Sequence, residues 1–87
     1  MSVSEVQVTI RYFAAARAAA GIETETLSVP AGTTVDGLVT DLSGRGPELA
    51  KVLARCSYLR DGVAVRDKNV ALRTRETVDV LPPFAGG

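Results

Sequence analysis

Val6-Gln7-Val8-Thr9-Ile10-Arg11-Tyr12 alternates apolar and polar side chains without a break. A period of two sets Val6, Val8, Ile10 and Tyr12 on one face and Gln7, Thr9 and Arg11 on the other, the pattern of a half-buried strand. Glu5 to Phe13 is therefore the expected first strand. It runs into Ala14 to Ala20, a stretch of high helix propensity that stops at Gly21, so a turn or two of helix should reverse the chain. A second strand is expected through Thr24 to Val29, with Leu27 and Val29 on one face and Thr26 and Ser28 on the other. Pro30-Ala31-Gly32 ends it.

Thr33 or Thr34 then stands at the N-cap of the main helix. Asp36 lies near the first turn, where the helix dipole favours a carboxylate, and Val35, Leu38, Val39 and Leu42 form one apolar stripe. Gly44 and Gly46 break this helix. Pro47 suits the first position of a shorter one, whose stripe is Leu49, Val52, Leu53 and Cys56. Gly44-Arg45-Gly46 reads as a helix break and not as a phosphate loop, because no strand feeds it and no Lys-Ser/Thr follows. Tyr58-Leu59 opens a short strand that meets the turn signal Asp61-Gly62. Val63 to Val65 and Val70 to Leu72 are further short extended candidates, and Thr77 to Leu81 is the last strand. Pro82-Pro83 closes it, since proline offers no amide hydrogen to a ladder.

Two strands before one main helix, with the remaining strands after it, define an α+β fold in which that helix packs across one face of a mixed sheet, accompanied by the short second helix. A β-grasp, or ubiquitin-like, roll is the simplest member of that set. In it the first and last strands pair in parallel at the centre. Residues 1–81 then form one domain and 82–87 a flexible C-terminal tail, which would reach roughly 20 Å if extended at about 3.3 Å per residue.

Composition narrows the function. Eighty-seven residues suffice for one core. Ten basic and ten acidic side chains cancel, so nucleic acid and anionic membrane surfaces are not expected partners. One cysteine permits no internal disulfide. Met1-Ser2-Val3-Ser4-Glu5 lacks the basic and apolar regions of a signal peptide, and the expected compartment is the cytosol. No histidine is present, which removes His/Cys metal sites and His-assisted nucleophiles. Catalysis, if the chain takes part in any, is expected from another chain. What this chain offers is its ending, Gly86-Gly87: without a Cβ, a terminal Gly-Gly can thread a narrow channel and leave its last carbonyl carbon open to attack.

Arg11–Gly21 (RYFAAARAAAG), Thr33–Leu42 (TTVDGLVTDL) and above all Leu81–Gly87 (LPPFAGG) together resemble the small subunit of molybdopterin synthase, the MoaD type of ubiquitin-like sulfur carrier. The resemblance covers essentially the whole chain. It departs in two turns: Thr74-Arg75-Glu76 stands where many members carry Gly-Asp-Glu, and Asp61-Gly62 where Asn-Gly is common. The resemblance implies a non-catalytic sulfur-donor subunit of a sulfurtransferase. An E1-like adenylyltransferase of MoeB type would use ATP and Mg²⁺ to adenylate Gly87. A sulfur donor such as a rhodanese or cysteine desulfurase would convert the acyl-adenylate to a thiocarboxylate. A large subunit of MoaE type would hold the tail and pass the sulfur to cyclic pyranopterin monophosphate. Gly87 would carry the sulfur, Gly86 would give it clearance, and Phe13, Leu81, Pro82, Pro83 and Phe84 are the candidate contacts with the large subunit. No permanently bound cofactor or metal is implied.

Each candidate has a plainer reading. Phe13, opposite Val6, Val8, Ile10 and Tyr12, is either an exposed aromatic anchor or packs under the Ala-rich turn. Phe84 is a binding residue or a staple onto the domain; Pro82-Pro83 is a spacer, a strand terminator, or both. Arg17 reads as a solvated helix charge and Cys56 as a small buried hydrophobe. Three other functions fit parts of the pattern. These are a carrier for thiamine thiazole (ThiS type) or cysteine synthesis, a ubiquitin-like modifier joined to lysines through Gly87, and a β-grasp interaction domain with an inert tail.

Overall fold

The protein is described from a computed structural model, over residues 4–83. The alternation of the opening stretch gives strand β1, Glu5–Tyr12, with Val8, Ile10 and Tyr12 buried and Gln7 and Arg11 exposed. Phe13 falls just outside it. Its extended backbone is the N-cap of helix α1, Ala14–Ala20, which ends at Gly21 in the left-handed region at φ 75°. That conformation lets the Gly21 N–H close onto the Arg17 carbonyl at little steric cost. Strand β2, Thr24–Pro30, then returns antiparallel to β1, Val8 opposite Leu27. Pro30 is tolerated at the end of this edge strand, where its missing donor disturbs no inner ladder.

Helix α2, Val35–Ser43, begins as its sequence dictates. The Thr34 hydroxyl accepts from the Gly37 N–H at 3.0 Å, Asp36 lies in the first turn, and Val35, Leu38 and Leu42 are buried. Burying each such aliphatic side chain contributes about 1.5–3 kcal/mol. Helix α3, Pro47–Leu53, starts on its proline and buries Leu49 and Leu53. Cys56 lies past the Ala54 C-cap and so follows the helix instead of completing its stripe.

Strands β3, Ser57–Arg60, and β4, Val63–Ala64, form a hairpin around Asp61-Gly62, whose φ values of 48° and 82° are those of a type I′ turn. Val70 to Leu72 does not become a strand. Ala71 makes only an isolated bridge to Thr34, the Leu72 N–H donates to the Thr33 carbonyl at 2.8 Å, and the Leu72 side chain is buried. Strand β5, Glu76–Leu81, lies in the middle of a five-stranded sheet ordered β2-β1-β5-β3-β4. It is parallel to β1 and antiparallel to β3. This is a β-grasp, ubiquitin-like roll: one sheet face is covered by the helices, and the other is open.

Among the described residues no helix is long and apolar enough to cross a membrane.

Candidate functional site

The parallel pairing of β1 and β5 builds the open face where β5 ends. Arg11 is register partner to Asp79, and Asp79 to Leu59 on β3, so all three side chains project to the side away from the helices. Phe13 and Leu81 follow the buried Tyr12 and Val80 and take the same side. Arg11 links these groups. Its Nε lies 3.2 Å from Asp79 Oδ1, and its guanidinium stands 5.2 Å from the centroid of the Phe13 ring, within cation–π range. The pair is asymmetric: the Arg11 side chain is 50% exposed and that of Asp79 only 13%. The buried Asp79 Oδ1 makes no hydrogen bond among the described residues, its contact with Arg11 being one of charge alone.

Phe13 is fixed through its backbone. Its N–H donates to the Val80 carbonyl at 3.2 Å, and its own carbonyl accepts from Ala16 at 3.0 Å. The ring is half-buried, between the fully exposed anchor and the packed residue that its sequence position allows. Half-buried Leu59 and Leu81 complete an apolar rim around the Arg11–Asp79 pair. Arg11, Leu59 and Asp79 escape a reading of the sequence. The one available signal is that Arg11 and Asp79 carry opposite charge on the outward phase of two strands, which becomes a contact only when the parallel register is known.

On the helix side of the same strand end, Pro82 is buried and Pro83 exposed. Both border a groove of about 570 Å³ together with Ala15 and Val52. The structure thus sets Phe13, Leu81, Pro82 and Pro83 around one end of β5, while Phe84, Gly86 and Gly87 lie outside the described residues. Arg17 is exposed. Cys56 is half-buried; its thiol donates to the Val52 carbonyl at 3.1 Å, and burial pushes its pKa above the ordinary value. A thiol so held carries less of the reactive thiolate. Among the described residues no cluster of His, Cys, Asp or Glu could hold a metal ion.

The fold and this strand end define a class, the ubiquitin-like β-grasp domains that display a sheet face beside their C-terminal segment. Within that class, the family model described as the ThiS family matches residues 10–87, and the chain belongs to that family. It is 30% identical over 83 residues to the molybdopterin synthase sulfur carrier subunit of Homo sapiens, covering 93% of this chain and 94% of that protein. With the protein of the same name from Chlamydomonas reinhardtii it shares 28% identity over 83 residues, covering 94% of this chain and 100% of the relative. The Haloferax volcanii HVO 2177 protein superposes with a TM-score of 0.82 at 27% identity, over 95% of this chain and 88% of that one.

Proposed function

We propose that this chain is the sulfur-carrier small subunit of a molybdopterin synthase. The observation that carries the reading is a family match running through Gly87, on a domain whose central strand ends at Pro82-Pro83 beside a mixed apolar and charged face. The full-length likeness to two molybdopterin synthase sulfur carrier subunits supports the choice of pathway.

In this reading Gly87 ends as a carboxylate, which is ionised near neutral pH and is a poor electrophile until activated. An E1-like adenylyltransferase of MoeB type joins it to the α-phosphate of ATP, with Mg²⁺, and releases pyrophosphate. The terminal sulfur of a donor persulfide then displaces AMP, and a second thiol cleaves the acyl disulfide so formed, leaving a thiocarboxylate on Gly87 and a disulfide on the donor side. The large subunit, of MoaE type, receives the tail and directs its sulfur to cyclic pyranopterin monophosphate. The carrier binds no cofactor of its own, returns with its carboxylate restored, and works in the cytosol. Residues 82–87 act as the tail, with Gly86 giving clearance, Pro82 and Pro83 stiffening the base, and Phe84 adding an apolar contact. Phe13, Leu59, Leu81 and the Arg11–Asp79 pair form the surface that docks on the large subunit. Arg11 would shield Asp79 there, where an unpaired buried carboxylate would be costly.

The test is reconstitution with large subunit, activating enzyme, ATP and sulfur donor, using chains that end at Gly87, end at Gly86, or extend one residue further. Only the first should support dithiolene formation. Equal activity of the extended chain would refute the carrier role.

A further inference from the structure

We propose that the groove between α1 and α3 receives an acidic segment of a partner protein that carries one bulky apolar side chain. The proposal does not depend on the sulfur-carrier reading.

The groove's walls are Ala15, Val52 and Ala54, closed at one end by Pro82-Pro83. Its surface is almost wholly apolar, and its volume of about 570 Å³ lies within the range of clefts that seat a ligand. Ala15 on α1 and Ala54 at the C-cap of α3 make it open and shallow, so it can accept a large side chain without displacing one of its own.

Charge decides what kind. Lys51 and Arg55 line the groove, four residues apart on α3 and the turn that follows it, and no carboxylate joins them. Like charges at that spacing repel one another. Neither has an acidic partner among the described residues, where the ion pairs engage Arg11, Arg45 and Arg60. Their methylene stems extend the apolar wall while their charged heads stay at the rim. An apolar floor under two uncompensated cations fits a carboxylate-flanked aromatic or aliphatic side chain. It does not fit a nucleic acid, which would need a broader basic surface than a chain of zero net charge supplies. Since Pro82 turns to the helix side of β5 and Leu81 to the open side, a partner in the groove leaves the Arg11–Phe13–Asp79 face free.

The test uses the full 87-residue chain and a blocked pentapeptide, Asp-Glu-Phe-Glu-Asp, followed through backbone amide shifts. The expected result is saturable shifts at Ala15, Val52, Ala54 and Arg55, weakened by salt. Affinity should fall about tenfold or more in a Lys51→Glu, Arg55→Glu variant whose remaining spectrum is unchanged, and with a peptide in which Gly replaces Phe. No binding, shifts confined to the open face, or affinity indifferent to charge reversal would overturn the proposal. So would shifts at Ala15 and Val52 without peptide, either on deleting residues 84–87 or on raising protein concentration. The first would assign the groove to the chain's own C-terminus, the second to another copy.

Discussion

Arg45→Ala should cost about 1 kcal/mol of stability at neutral pH, and acid should erase most of the difference from wild type. Arg45 Nη1 and Nη2 donate to Glu25 Oε2 and Oε1 at 2.7 and 3.1 Å, and the Tyr12 hydroxyl donates to Glu25 Oε2 at 2.6 Å. Hydrogen bonds to a charged group contribute about 1.5–3 kcal/mol. The Arg45 side chain is 43% exposed, however, and solvent screening brings its share down to about 1 kcal/mol. For a domain of this size that is a fall of about 4–8 °C in Tm. The pH dependence follows from Glu25. The Arg45 hydrogen bonds, with help from Tyr12, hold its carboxyl below the ordinary value against the opposing effect of burial. A carboxyl depressed on folding stabilises the protein fully above its unfolded pKa, about 4.3, and loses that contribution as pH falls through the lower folded value. Urea unfolding followed by circular dichroism, repeated from neutral pH into acid, should therefore give a gap between wild type and Arg45→Ala that is full at neutrality and narrows below about pH 4. Arg45→Lys, which keeps the charge without the fork, should recover only part of it. A gap of constant size through the acid range, or none at neutrality, would refute the argument.

Thr34→Ala should lower stability by about 1 kcal/mol through loss of the α2 cap, with Thr34→Ser close to wild type, both measured by thermal unfolding. Cys56→Ala should leave thiocarboxylate yield at Gly87 unchanged, because burial raises the pKa of this thiol and so disfavours the reactive thiolate; a large loss of yield would give Cys56 a part in sulfur delivery. Phe13→Ala should weaken binding to the large subunit by about tenfold or more, equivalent to about 1.4 kcal/mol, when measured by calorimetry. Unchanged affinity would remove Phe13 from the docking surface.

The parts of the fold legible in the sequence are those set by local chemistry. The alternation through Val6–Tyr12, the Thr34 cap, Pro47 at a helix start and Asp61-Gly62 in its turn each act within a few residues, and each stands where the pattern puts it. The Val70–Leu72 segment shows where this reasoning fails. Three apolar residues in a row look extended, yet they join no ladder of the sheet: Ala71 makes only an isolated bridge to Thr34, and tertiary packing buries Leu72 beside Thr33 instead. Partnerships across the chain were equally hidden. Nothing local ties Arg45, in a Gly-x-Gly break, to Glu25 and the Tyr12 hydroxyl, or Arg11 to Asp79. In the candidate site, the aromatic and proline positions could be read from the sequence because they stand out by residue type. The charged pair and Leu59 could not, because they depend on which strands become neighbours.

The central claim is that Gly87 carries sulfur. Its most direct test is the mass of the C-terminal peptide of protein isolated from its native cells, localised by fragmentation, since oxidation of Met1 or Cys56 gives nominally the same gain as exchange of oxygen for sulfur. Sulfur is expected in place of one oxygen on the Gly87 carboxylate. A carboxylate that stays unmodified there, and after incubation with ATP, an E1-like enzyme and a sulfur donor, would contradict it.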